Sequence, residues 1–217
     1  MPNLVLAIDG PSGSGKSSTA KAIALRANWS YLDTGALYRA VTYLALEKKI
    51  ESEDEIVKHL ESSEIVFDTN PADPKIFVND KDVSAEIRLQ RINDFVSKIS
   101  AMPTVRKVLL ELQRKYIADA PIGIVVEGRD IGTVVAPQAQ LKIYLHADID
   151  ARAQRRENEM IESIDRNEVG KSLASRDEVD STRAVSPLMQ AEDGIRDVER
   201  SRGLGDVYKR QNWLSTW

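Results

Sequence analysis

Residues Leu4 to Ala20 read LVLAIDGPSGSGKSSTA. A short apolar run, Leu4–Ile8, ends in Asp9 and breaks at Gly10-Pro11. Gly10, Gly15, Lys16 and Ser17 then fall at the G-x-x-x-x-G-K-[ST] spacing of a phosphate-binding loop. Glycines let a backbone wrap a phosphate closely, so that successive N–H groups point at its oxygens. Lys16 adds a mobile positive charge, and the Ser17 hydroxyl can hold a magnesium ion bridging two phosphates. A helix starting near Lys16 directs the positive end of its dipole to the same place. Strand, loop and helix in that order point to a nucleoside polyphosphate as ligand and to an α/β fold with a parallel sheet.

The rest of the composition narrows the class. The chain has 217 residues, enough for one α/β domain with a small insertion. Hydrophobic residues make up 42% and charged ones 29%, as in an ordinary globular protein. The net charge of −4 argues against nucleic acid or an anionic membrane as partner, so any anion site is built from local arginines and backbone amides. Without cysteine there are no disulfides or thiolate metal sites, which fits a reducing, cytoplasmic compartment. No leader and no run of membrane-spanning length is seen. His59 and His146 have no ligand partners at metal spacing and read as structural. With no long exposed apolar face in the pattern, a monomer is expected.

Outward from the loop, 17–27 reads as a helix, 29–32 as a strand, and 36–48 as a helix with Leu37, Ala40, Val41, Leu44 and Ala45 on one face. A short helix at 53–60 follows. Between 64 and 83, three short β-rich runs separated by turn residues suggest a small antiparallel sheet inserted at about 62–90. The pattern returns to helix over 84–100, and Pro103 opens another helix to about 117. Ile122–Val126 is nearly continuous and β-branched, as a strand buried on both faces should be. Leu141–Leu145 is a further strand, and a charged helix begins at Asp148.

Gly10–Ser17, Asp33–Gly35 and Glu127–Asp130 each follow an apolar strand-like run. In an open parallel sheet ligands sit beyond the carboxyl ends of strands, so the three clusters should meet in one cleft. One cluster suits donor phosphates; the others are available to a second substrate. Arg106, Arg129, Arg176 and Arg183 lie near element ends, and guanidinium forks suit phosphate oxygens. Arg152, Arg155 and Arg156 stand at i, i+3 and i+4 on one helix face, either a solvated face or a lid over a transferring phosphoryl group.

With these residues in view, the chain resembles the bacterial cytidylate kinases of the nucleoside monophosphate kinase group. IDGPSGSGKSS, LDTGALYRA, Pro103-Thr104-Val105-Arg106, VVEGRDIGTVV and SRDEVDSTRAVSPL carry the resemblance, over about residues 4 to 190. It implies a P-loop kinase fold, a parallel sheet flanked by helices with a small antiparallel insertion and an arginine-bearing lid at about 150–176. It implies transfer of the γ-phosphate of ATP, with Mg2+, to CMP or dCMP. Gly10, Pro11, Ser12, Gly13, Ser14, Gly15, Lys16, Ser17 and Ser18 would hold ATP, Ser17 also the metal. Thr34, Ser97, Arg106, Arg129, Asp130, Arg176, Asp180 and Arg183 would hold the monophosphate. Lys16, Arg155 and Arg156 would act on the moving phosphoryl group.

Other readings stay open. A P-loop kinase for another nucleotide or a metabolite such as shikimate shares the loop but not the EGRD and RDxxDSTR stretches. A GTPase needs N-K-x-D, and Asn79-Asp80-Lys81-Asp82 has the letters without the order. A non-catalytic nucleotide-binding regulator is the third.

After Gln190 the family pattern stops. An apolar strand, a turn near adenine and a closing helix are implied; the chain instead reads AEDGIRDVERSRGLGDVYKRQNWLSTW, with Gly194, Gly203 and Gly205 interrupting it. Ala191–Gln211 resembles the translation of a sequencing adaptor. Residues 1–190 are thus expected to form the kinase domain, and 191–217 an atypical tail without the edge strand. Gly194–Trp217 is expected to pack poorly.

Overall fold

The computed structural model describes residues 4–159, positions 174, 177, 178, 182 and 188, and the strand 196–199, with the side chains of 155–159 and 196–199 outside the description. Five parallel strands form the main sheet. They are β1 (Leu4–Asp9), β2 (Ser30–Asp33), β6 (Gly123–Gly128), β7 (Leu141–His146) and β8 (Arg196–Glu199), in the order β2-β6-β1-β7-β8. Among the described residues the sheet is accompanied by helices α1 (Lys16–Ala27), α2 (Thr34–Lys48), α3 (Glu53–Glu61), α4 (Gln90–Ser100), α5 (Pro103–Asp119) and α6 (Ile149–Glu159). Sheet order departs from chain order because β6 inserts between β1 and β2, each parallel connection crossing over the sheet.

β6 lies between β1 and β2, and all six of its residues are buried, which is why its sequence is apolar without alternation. Register places the strand ends level: Asp9 pairs with Gly128 and Asp33 with Glu127. The polar clusters after β1, β2 and β6 therefore leave the sheet side by side. On α1 the buried positions are Ala20 and Ala24, small enough to let the helix lie close on the sheet.

The insertion is a three-stranded antiparallel sheet, β3 (Ile65–Phe67), β4 (Ile76–Val78) and β5 (Lys81–Asp82). Tyr31 N–H donates to Thr69 O at 2.9 Å and the Tyr116 hydroxyl accepts from Phe67 N–H at 2.7 Å, tying the insertion to β2 and α5. α2 is buried beyond the expected face, with Ala36, Thr42 and Tyr43 also covered, because α4 and the small sheet pack on its far side.

Two differences from the sequence pattern have physical causes. The helix expected over 84–100 is broken at Leu89, whose ψ is 151°, into a 3₁₀ turn at Glu86–Arg88 and α4. A continuous helix would set Ile92 about 140° around from Ile87 at about 100° per residue. The break brings both into the core, where Ile87 is 3% and Ile92 0% exposed. The second difference is β8, a strand in the tail where none was expected. It pairs parallel with β7, Val198 opposite Leu145. Main-chain groups on the outer edge of β7 need partners whatever the side chains of the pairing segment. Arg-Asp-Val-Glu carries one apolar residue, too few for a strand signal. No helix among the described residues is long and apolar enough to cross a membrane.

Candidate active site

The phosphate loop is held in shape from both ends. Gly10 has φ +147°, and a Cβ there would lie 2.1 Å from Leu145 O, so β7 requires glycine at this position. Asp9, at the end of β1, accepts from Ile131 N–H at 2.9 Å and Gly132 N–H at 2.8 Å, fastening the loop base to a π-helical turn at Ile131–Val135. Burial drives the Asp9 carboxyl up to about 6, against the pull of those two amides. Lys16 Nζ folds back onto Pro11 O at 2.8 Å. Its desolvated setting, with the Arg129 charge close by, depresses the ammonium. Such a lysine has much to gain from an arriving polyphosphate.

At the start of α1, the Ser17 hydroxyl donates to Glu127 Oε2 at 3.0 Å. Tyr31 OH donates to the other oxygen, Oε1, from β2. Burial first, then the neighbouring Asp33 charge, pushes the Glu127 carboxyl upward. Two carboxylates and a hydroxyl around the loop mouth form a hard-oxygen setting that suits a magnesium ion, whose charge would relieve the Asp33–Glu127 repulsion.

Asp33 also caps α2, accepting from Ala36 N–H at 3.1 Å, and this places Thr34 in the first helical turn. Thr34 Oγ1 then donates to Glu127 O at 2.7 Å. Across the cleft, Arg106 Nη2 pairs with Asp130 Oδ2 at 2.5 Å while Nη1 donates to Ser100 O at 3.1 Å. The guanidinium carbon lies 5.4 Å from the centre of the Tyr38 ring. A buried arginine fixed on three sides is a preoriented fork, and its Nε has no partner among the described residues.

One open cleft takes in these groups. Ser12, Gly13, Gly15, Lys16, Ser17 and Ser18 line its donor end, with Thr34, Ser97, Arg106, Arg129 and Asp130 on the other side. Of the residues expected from sequence, Gly10, Pro11 and Ser14 stand behind this lining as loop backbone. The Arg155 and Arg156 side chains, and Arg176, Asp180 and Arg183, lie outside the described residues. Sequence reasoning placed Glu127 only as a member of its cluster and gave no role to Tyr31, Tyr38 or Arg39, although Glu127, Tyr38 and Arg39 line the cleft. Tyr38 follows Thr34, and Arg39 follows Gly35, by four residues, about one helical turn, a spacing that could have found them. Arg152, which the sequence reading ranked below Arg155 and Arg156, donates from Nη1 to Ser12 O at 3.2 Å.

Comparison with known proteins agrees with this geometry. The cytidylate kinase family model matches residues 6–206. The cytidylate kinase of Carboxydothermus hydrogenoformans is 46% identical over 195 residues, covering 88% of this chain and 87% of its own. That of Streptococcus sanguinis is 44% identical over 213 residues, covering 95% and 94%. A solved structure of an uncharacterized protein from Eubacterium ventriosum shares the fold at a TM-score of 0.51 and 10% identity, over 99% of this chain and 100% of that one. On the family match and these identities, the chain belongs to the cytidylate kinase family.

Proposed function

We propose that the protein transfers the γ-phosphate of ATP to CMP or dCMP, giving ADP and the nucleoside diphosphate. The observation that carries this reading is the single cleft in which a phosphate loop faces Arg106, Arg129 and Asp130 across the ends of three parallel strands. The family membership supplies the substrate pair. ATP lies on the loop 10–18, and the monophosphate among Thr34, Ser97, Arg106, Arg129 and Asp130, completed by Arg176, Asp180 and Arg183. The kinase domain spans about 1–190 on this reading, with the insertion at about 62–90 and the lid at about 150–176. The tail at 191–217 is atypical, its origin an adaptor-like sequence. The protein works as a cytoplasmic monomer on small molecules, without nucleic acid or membrane.

The acceptor's own phosphate oxygen is the nucleophile, so no general base is required. What the chain supplies is in-line positioning and neutralisation of charge on the moving group by Lys16 and the lid arginines Arg155 and Arg156. Ser17 would hold Mg2+, which would supply positive charge to the phosphates. Glu127 accepts the Ser17 proton side, which leaves the hydroxyl lone pairs for the metal. Closure of the lid excludes water that would otherwise hydrolyse ATP.

An acceptor panel tests this reading. ADP release with ATP and magnesium is followed in the presence of CMP, dCMP, UMP, AMP or shikimate. Turnover is expected with CMP and dCMP, and Arg129→Ala is expected to raise the acceptor KM. Preference for AMP or shikimate would contradict the assignment.

A further inference from the structure

Beside the phosphate loop lies a charged brace of Arg129, Arg152 and Asp177, of which the transfer mechanism uses only Arg129. Arg129 Nη1 donates to Gly10 O at 2.7 Å, and Arg152 Nη1 donates to Ser12 O at 3.2 Å, so two arginines grip two carbonyls of one loop. Asp177 stands between them. Its Oδ2 accepts from Arg152 Nη1, and its Oδ1 lies 3.8 Å from Arg129 Nη1. The Arg152 side chain is 8% exposed and the Asp177 and Arg129 side chains 19%. Paired charges this far from solvent are screened little and hold one another's orientation. The first turn of α6 is also seated on the loop backbone, since a Cβ at Gly13 would meet Arg152 O at 2.9 Å.

The brace is incomplete in an informative way. Asp177 Oδ1 makes no hydrogen bond among the described residues, so its hold on Arg129 is Coulombic at 3.8 Å. A small turn of the Arg129 guanidinium changes that distance and its grip on Gly10 O together. Asp177 also belongs to the stretch SRDEVDSTR, whose Arg176, Asp180 and Arg183 are assigned above to the acceptor. We infer that Asp177 is a positioning residue that couples the two nucleotide sites, passing the engagement of Arg129 by an acceptor phosphate through Arg152 and Ser12 O to the loop that holds ATP. The inference rests on the assignment of Arg129 to the acceptor and of the loop to ATP. It is a contiguous set of ionic and hydrogen-bonded contacts, of the kind that can carry coupling between sites.

Calorimetric titration of the full chain tests it. A non-hydrolysable ATP analogue and CMP are each titrated alone and then with the other saturating. The unaltered protein is expected to show mutual tightening of about fivefold or more. In Asp177→Asn, which keeps shape and loses charge, that ratio is expected to fall to about one, with each single-nucleotide Kd changed by less than about threefold, because Asp177 is not part of the cleft lining. Asp177→Glu is expected to retain part of the coupling. Absence of coupling in the unaltered protein, or full coupling in Asp177→Asn, would overturn the inference. Equal weakening of both single-nucleotide affinities in Asp177→Asn, without loss of the ratio, would show a merely structural role and overturn it too. If CMP failed to bind the unaltered protein at all, the acceptor assignment would fall and the inference with it, whereas lost coupling with CMP turnover intact would leave the kinase reading standing.

Discussion

Lys16 and Asp9 show how differently two charged residues of one loop are used. Lys16 Nζ donates to Pro11 O, its one hydrogen bond among the described residues, while desolvation and Arg129 disfavour its charge. Its replacement therefore costs little structure and much transition-state stabilisation. Lys16→Ala is expected to lower kcat about 10²–10³-fold in the ADP-release assay, with unfolding free energy within about 1 kcal/mol of the parent. Asp9 is fully buried and holds structure. Its carboxyl is raised from 3.8 to about 6, chiefly by burial. The folded chain thus binds this proton more tightly than the unfolded chain. The group's stabilising contribution is fully present below pH 3.8 and lost as pH rises through about 6. A shift of that size corresponds to about 3 kcal/mol. Denaturant titrations of the parent and Asp9→Asn from about pH 4 to about pH 7 should show the balance moving toward the variant by an amount of that order. A gap that stays constant with pH would contradict the assignment.

At the scale of elements, the strand-to-loop junction is the most demanding piece. Gly10 cannot carry a side chain, because a Cβ would lie 2.1 Å from Leu145 O in the β7 backbone. Gly10→Ala is expected to destabilise by at least about 3 kcal/mol, through this clash and the unfavourable φ. A melting temperature unchanged in that variant would mean that β7 does not approach the loop as described. This junction was legible in the sequence, since the glycines and Lys16 stand at fixed spacing. So was β6, whose unbroken apolar run reports burial on both faces. The break at Leu89 was not legible, because 84–100 keeps a helical pattern on either side of it and the change of phase depends on what both halves pack against. Tyr31 was hidden for a related reason. At 1% exposure inside a strand it reads as an ordinary core aromatic, and only the tertiary fold shows its hydroxyl on Glu127.

For the whole molecule, one rule made the site visible early: ligands gather beyond the carboxyl ends of parallel strands. It brought Gly10–Ser17, Asp33–Gly35 and Glu127–Asp130 together from sequence alone, and the level strand ends Asp9, Gly128, Asp33 and Glu127 explain why it worked. What it could not give is strand order, since nothing in the patterns of β1, β2 and β6 says that the last inserts between the first two. The tail was misread in one respect because strand pairing is a main-chain property. Hydrogen exchange addresses this: amides of Arg196–Glu199 that pair with β7 should exchange well below the rate of unpaired backbone. Free exchange across all four residues would remove β8 from the sheet. The central claim concerns the reaction, and the fate of labelled phosphate tests it most directly. The full chain is incubated with γ-labelled ATP, magnesium and CMP, and the products are separated. The account predicts label in CDP, dependent on CMP and abolished to within about 1% of the parent rate in Lys16→Ala. Label recovered only as inorganic phosphate, or no consumption of ATP at all, would contradict it.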